Sequence, residues 1–126
     1  MKNEKLVVLI VEDSLLIIER IFSLLENLEN VKLVLHAANY SESKRIMDEI
    51  SADVVLLDIN LPDGNGIELL REIKAIHSCT KVIMFTNHAT DNYRKICCEL
   101  GAEYFLDKSI EFDKIHEVIS GLKMAS

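Results

Sequence analysis

The segment Val54-Val55-Leu56-Leu57-Asp58-Ile59-Asn60-Leu61-Pro62-Asp63-Gly64-Asn65-Gly66 decides the fold. Its first residues are apolar at consecutive positions, so the strand they predict is buried on both faces, as a parallel strand covered by helices must be. Asp58 follows at once, where an unpaired buried carboxylate is costly and the local sequence offers no partner. The chain then turns through Leu61-Pro62-Asp63-Gly64-Asn65-Gly66, its only Pro-Gly-rich stretch. A carboxylate between such a strand and such a turn lies at the rim of a parallel sheet, where open α/β sheets bind their ligands.

Working outward, the same kind of apolar run recurs at Lys5 to Val11, Val31 to His36, Lys81 to Phe85 and Glu103 to Leu106, which with Asp53 to Leu57 predicts five strands. Segments of helical period separate them. The first places Ile18, Ile21, Phe22, Leu25 and Leu28 on one face, the second Ile46, Met47 and Ile50, and the third Ile67, Leu70 and Ile73. Tyr93, Ile96, Cys97 and Leu100 mark the fourth, which Gly101 is expected to cap, so that Cys97 points inward and Cys98 does not. Phe112, Ile115, Val118, Ile119 and Leu122 mark the fifth. Five βα units in this length favour an open doubly wound sheet, because a closed eight-stranded barrel needs roughly 200 residues or more. The expected architecture is an α/β three-layer α/β/α sandwich, one domain over 1–126 with no output domain.

Composition narrows the function. With 126 residues, 49% of them apolar, the chain can bury one core. A formal net charge of -7 repels phosphate polymers, so no direct nucleic-acid contact is expected. No apolar run approaches the roughly 18 residues of a membrane span, and no cleavable leader is evident, so no membrane association and a cytoplasmic location are expected. Cys79, Cys97 and Cys98 show no CxxC spacing, and the four histidines form no HExxH pair, so neither disulfides nor a zinc site is suggested.

The residues that end the strands form a consistent set. Strand one ends in Glu12-Asp13, strand three in Asp58, strand four in Thr86 and strand five in Asp107-Lys108, whereas strand two, ending in His36-Ala37, contributes nothing obvious. Converging carboxylates repel one another unless a cation joins them, and an all-oxygen set favours a hard ion such as Mg²⁺. With Lys108 as a second positive charge and Thr86 as a hydroxyl donor, the rim is suited to grip a phosphate.

These residues carry a resemblance to the receiver domain of two-component response regulators, CheY-like proteins, over the whole length of the chain. Val54 to Gly66 resembles that family's phosphoacceptor strand and turn, while Glu12-Asp13, Thr86 and Lys108 stand where it has its acidic pair, switch hydroxyl and lysine. The resemblance implies a flavodoxin-like (βα)5 fold with a five-stranded parallel sheet in the order 2-1-3-4-5. It implies that Asp58 is the nucleophile that accepts a phosphoryl group from a phosphohistidine on a sensor histidine kinase or histidine phosphotransfer protein. Mg²⁺ (or Mn²⁺) is expected on Asp13, Asp58 and the backbone carbonyl of Asn60, with Glu12 helping through water. Thr86 and Phe105 are the expected switch pair. The output is an altered surface on the fourth helix, fifth strand and fifth helix, offered to a downstream protein by a monomer or weak homodimer.

Departures from the family pattern matter as well. The family usually has proline after the lysine, joined by a cis peptide, and this chain has Ser109. Asn87 follows the switch threonine, where the family is generally small, and with His88 and Asn60 is expected to set the rate of self-dephosphorylation. Of the other functions, an aspartyl phosphohydrolase would want a second acid where Asn60 stands, and a flavodoxin-type nucleotide binder would want a hydroxyl- and glycine-rich loop where Glu12-Asp13-Ser14 stands. No enzymatic turnover is expected beyond the domain's own phosphorylation and dephosphorylation. A receiver-like docking module that is never phosphorylated is the alternative reading.

Overall fold

The computed structural model of the chain describes residues 5–123. In order, the elements are β1 (Leu6–Val11), α1 (Leu15–Leu25), β2 (Val31–Ala37), α2 (Tyr40–Glu49), β3 (Val54–Leu57), β4 (Asn60–Leu61), β5 (Gly64–Asn65), α3 (Gly66–Ile76), β6 (Lys81–Thr86), α4 (Asp91–Glu99), β7 (Tyr104–Asp107) and α5 (Lys114–Ser120). The main sheet is parallel with the order β2-β1-β3-β6-β7. Since β4 and β5 pair only with each other, this is the expected 2-1-3-4-5 order with a small hairpin inserted after the third strand. The Pro-Gly-rich stretch is therefore a turn carried on its own two short strands.

Side-chain alternation along the inner strands builds two cores. Leu9, Val11, Val55, Leu57, Val82 and Met84 face α2, α3 and α4 and meet Met47, Leu70, Ile73 and Cys97. Val8, Ile10, Val54, Leu56, Ile83 and Phe85 face α1 and α5 and meet Ile21, Leu25, Ile115 and Ile119. Three layers result, as expected. Burial on both faces holds for β1, β3 and nearly all of β6, but β2 lies at a sheet edge and is only partly covered.

Local chemistry starts and stops the helices. Ser14, Asn39, Asn65 and Thr90 each accept a first-turn N–H and cap α1, α2, α3 and α4. Gly101 has φ 102°, the left-handed conformation that ends α4, and Cys97 is buried while Cys98 is exposed. Burial pushes the Cys97 thiol up to about 11.

Two helix faces differ from expectation. Phe22 is 40% exposed, because the stripe of α1 that meets the sheet is the narrower line of Ile18, Ile21 and Leu25, and Phe22 lies about 100° around the helix from Ile21. Ile50 is also largely exposed, since it caps α2 in an extended conformation instead of continuing the helical face. Leu28 packs on the core from beyond the end of α1.

Candidate functional site at the C-terminal rim of the sheet

The ends of β1, β3, β6 and β7 lie side by side in the sheet and bring their following residues to one rim. Lys108 reaches back from the end of β7 and its ammonium donates to Asp58 Oδ2 at 2.8 Å and to Glu12 Oε1 at 2.8 Å. All of these side chains are nearly buried. Burial pulls the Lys108 pKa down, but hydrogen bonds to Asp58 and Glu12 and their charges outweigh it and hold it above the usual lysine value. The Phe85 ring lies under the ammonium, 5.4 Å from centroid to Nζ.

The remaining oxygens are unequally served. Glu12 Oε2 accepts from the Ser14 N–H at 3.0 Å, which fixes Glu12 at the start of α1. Among the described residues, Asp58 Oδ1 accepts only from the Asn60 N–H, at 3.4 Å. Thr86 is fully buried, and its hydroxyl accepts from the His88 N–H at 3.0 Å while its carbonyl accepts from the Lys108 N–H at 2.9 Å. Asn60, Asn87 and His88 are exposed around the rim.

The acids Asp13 and Asp107 have different surroundings from Glu12 and Asp58. Asp13 is exposed, and among the described residues no three His, Cys, Asp or Glu side chains are gathered as an ion cage, so the cation joining Glu12 and Asp58 here is Lys108. The chemistry of the rim suits a hard cation all the same: Asp13, Asp58 and the carbonyl of Asn60 offer oxygen atoms, and Asp58 Oδ1 is weakly engaged. Asp107 stays out of the rim, because its Oδ1 accepts from the Ser109 N–H at 2.9 Å and the Ser109 hydroxyl at 2.6 Å. Those bonds hold the Asp107 carboxyl below the usual range. They also shape the turn after Lys108, which contains a trans Lys108–Ser109 peptide, as there is no cis bond among the described residues.

Phe105 is half-buried against the α2–α4 side of the sheet. Arg94 of α4 covers it, with its guanidinium carbon 4.7 Å from the ring centroid and Nη1 donating to the Phe105 carbonyl at 3.0 Å.

Sequence reasoning missed two residues that build this rim. His36 Nε2 lies 2.8 Å from the Glu12 carbonyl and ties the end of β2 to the acidic pair. Gly66 donates its N–H to the Ile59 carbonyl at 2.6 Å, and a Cβ there would collide with the backbone carbonyl of Asp58. A glycine at the first position of a helix is the one signal in the sequence for that close approach. His36 gives none, because its partner lies across a strand pair.

Comparison with known proteins agrees with this geometry. The family described as response regulator receiver domain matches residues 8–120. The transcriptional regulatory protein YdfI of Bacillus subtilis is 33% identical over 101 residues, covering 80% of this chain and 47% of that protein. The chemotaxis protein CheY of Listeria monocytogenes is 29% identical over 111 residues, covering 88% of this chain and 92% of that one. Among solved structures, a CheY-like response regulator receiver domain protein from Methanospirillum hungatei superposes with a TM-score of 0.82 at 28% identity, covering 92% of this chain and 91% of the other. Against several transcriptional regulators and methylesterases that it resembles, the chain spans half or less of their length.

Proposed function

The chain belongs to the response regulator receiver domain family, and from that premise we propose that Asp58 is its phosphoacceptor. Receivers of this family take their phosphoryl group from histidine kinases. In the proposed reaction an Asp58 carboxylate oxygen attacks the phosphorus of a phosphohistidine whose other ring nitrogen is protonated, the P–N bond breaks as the P–O bond forms, and the electron pair stays on the ring, which leaves as neutral imidazole. The observation that carries this reading is the buried Asp58–Lys108–Glu12 cluster at the strand ends. A buried acid pair held by one ammonium has no evident use in a module that only docks, so the unphosphorylated alternative is not favoured.

Each residue then has a task. Lys108 transfers hydrogen bonds from the carboxylates to the arriving phosphoryl oxygens and offsets their charge. Asp13, Asp58 and the Asn60 carbonyl, with Glu12 through water, would hold a divalent ion such as Mg²⁺, which would supply further positive charge for the phosphoryl oxygens. Thr86 turns its hydroxyl toward the new anion and gives up the His88 N–H, and Phe105 moves inward behind it. The α4–β7–α5 face changes as a result and engages a downstream protein. Asn60, Asn87 and His88 set the lifetime of the acyl phosphate, and an Asn87→Ala protein with an unaltered decay rate would refute their part.

The domain acts as a signalling acceptor without turnover on a separate substrate, and a cytoplasmic location follows from its donor. No helix among the described residues is long and apolar enough to cross a membrane. The test is transfer from a ³²P-labelled histidine kinase: label passes to the wild-type chain and not to Asp58→Asn, whereas equal labelling of both overturns the assignment.

A further inference from the structure

Asn60 sits on the β4–β5 hairpin, and among the described residues that hairpin pairs with no other strand. It is held instead by α2 and α3. Asp63 at the hairpin tip accepts through Oδ1 from the Tyr40 N–H at 2.7 Å, and through Oδ2 from the Ser41 N–H at 3.1 Å and the Ser41 hydroxyl at 2.9 Å. These are first-turn donors of α2, which a helix leaves without internal acceptors. The helix's own cap, Asn39, already serves the Glu42 N–H at 2.9 Å, so Asp63 is a second cap supplied from another part of the chain. A carboxylate there also faces the positive end of the helix dipole.

Tyr40 continues the contact. Its ring covers Gly64, where a Cβ would meet ring and Cβ carbons at 2.8 to 3.2 Å, so only glycine leaves room for the aromatic face. Its hydroxyl donates to Glu72 of α3, and Lys44 of α2 pairs with the other Glu72 oxygen at 3.1 Å. The hairpin that follows the acceptor is thus clamped at its tip, on its glycine and, through Tyr40, to the neighbouring helix.

We propose that Asp63 and Tyr40 are positioning residues for the divalent ion: by clamping the β4–β5 hairpin to α2 and α3 they hold the Asn60 carbonyl ready to bind it. The inference rests on the ion-dependent acceptor reading above. A ligand on a loose hairpin must be ordered when the ion binds, and that conformational entropy is subtracted from affinity, whereas a clamped one has lost it on folding. The clamp touches neither the acceptor nor Lys108, so loosening it weakens ion binding and leaves the reacting groups in place.

The test is a Mn²⁺ titration of the whole chain, with the free ion read by its EPR signal. Wild type is compared with Asp63→Ala, Tyr40→Ala and the gentler Asp63→Asn and Tyr40→Phe, with Asp13→Ala as the variant that removes a direct ligand. Asp63→Ala and Tyr40→Ala are expected to raise Kd about tenfold, as loss of an outer-shell support does, and the gentler pair by less. Labelling by a small phosphodonor is expected to return to within about twofold of wild type at saturating Mn²⁺, which a general loss of structure would not allow. Unchanged Kd in the folded Asp63 and Tyr40 variants, with binding lost in Asp13→Ala, overturns the clamp and keeps the ion site. A wild type that binds no Mn²⁺, or binds it as well as Asp13→Ala does, overturns the acceptor reading beneath it.

Discussion

The Lys108 ammonium lies 2.8 Å from Asp58 Oδ2, with the two side chains only 9% and 11% exposed. An exposed pair of this kind contributes about 0 to 1 kcal/mol, but breaking a buried one strands an uncompensated charge at about 3 to 5 kcal/mol. Here two carboxylates would be stranded, since Glu12 shares the ammonium. Lys108→Met is therefore expected to lower the unfolding free energy by about 3 kcal/mol in urea titration at neutral pH, while also losing phosphoryl transfer.

The same pairing sets an alkaline limit. Because the folded Lys108 pKa is raised above its unfolded value of 10.5, the folded state holds the proton more tightly. Its contribution is complete below that pH and is lost as pH rises through the folded value. Urea midpoints are expected to be insensitive to Lys108 ionisation at neutral pH and to fall above about pH 10.5, and that fall is expected to be smaller in Lys108→Met.

Tyr40 supplies an optical readout in the same range. Burial first, then its hydrogen bond to Glu72 and the Glu72 and Glu68 charges, push its hydroxyl up to about 12. Phenolate absorbance is expected to include a late step from Tyr40, and Glu72→Gln is expected to bring that step to lower pH. An unchanged titration in Glu72→Gln would exclude the Glu72 charge as a cause of the raised value.

Gly66 and Gly121 form a matched pair. A Cβ at Gly66 meets the Asp58 backbone carbonyl, whereas at Gly121 the nearest atoms are 3.7 Å away, an ordinary contact. Gly66→Ala is expected to cost about 1 to 3 kcal/mol and to slow phosphorylation by shifting Asp58. Gly121→Ala, measured the same way, is expected to leave both nearly unchanged.

Much of the fold and of the rim is legible in the sequence. The continuous apolar runs of β1, β3 and β6 announced strands covered on both sides, and because ligands gather at strand ends, Glu12, Asp58, Thr86 and Lys108 could be named from position alone. Phe22 faces outward instead, since the periodicity of a short helix does not say how wide the covered face is, whereas β2 lies where its apolar run predicts a strand and is only partly covered because it is at the sheet edge. Asp107 illustrates another limit: it ends a strand like the others, but Ser109 claims its carboxylate for a turn. Contacts such as His36 with Glu12, or Asp63 with Tyr40, join segments more than twenty residues apart and leave no periodic trace.

Every role assigned to the rim depends on an Asp58 acyl phosphate whose formation needs a divalent ion. Intact mass spectrometry after incubation with a small phosphodonor tests it most directly, on wild type and Asp58→Asn, with Mg²⁺ and with the ion chelated. Wild type with Mg²⁺ is expected to gain one phosphoryl group, and neither Asp58→Asn nor wild type in chelator is expected to gain any. An adduct of the same mass and yield on Asp58→Asn, or on wild type without the ion, would contradict it.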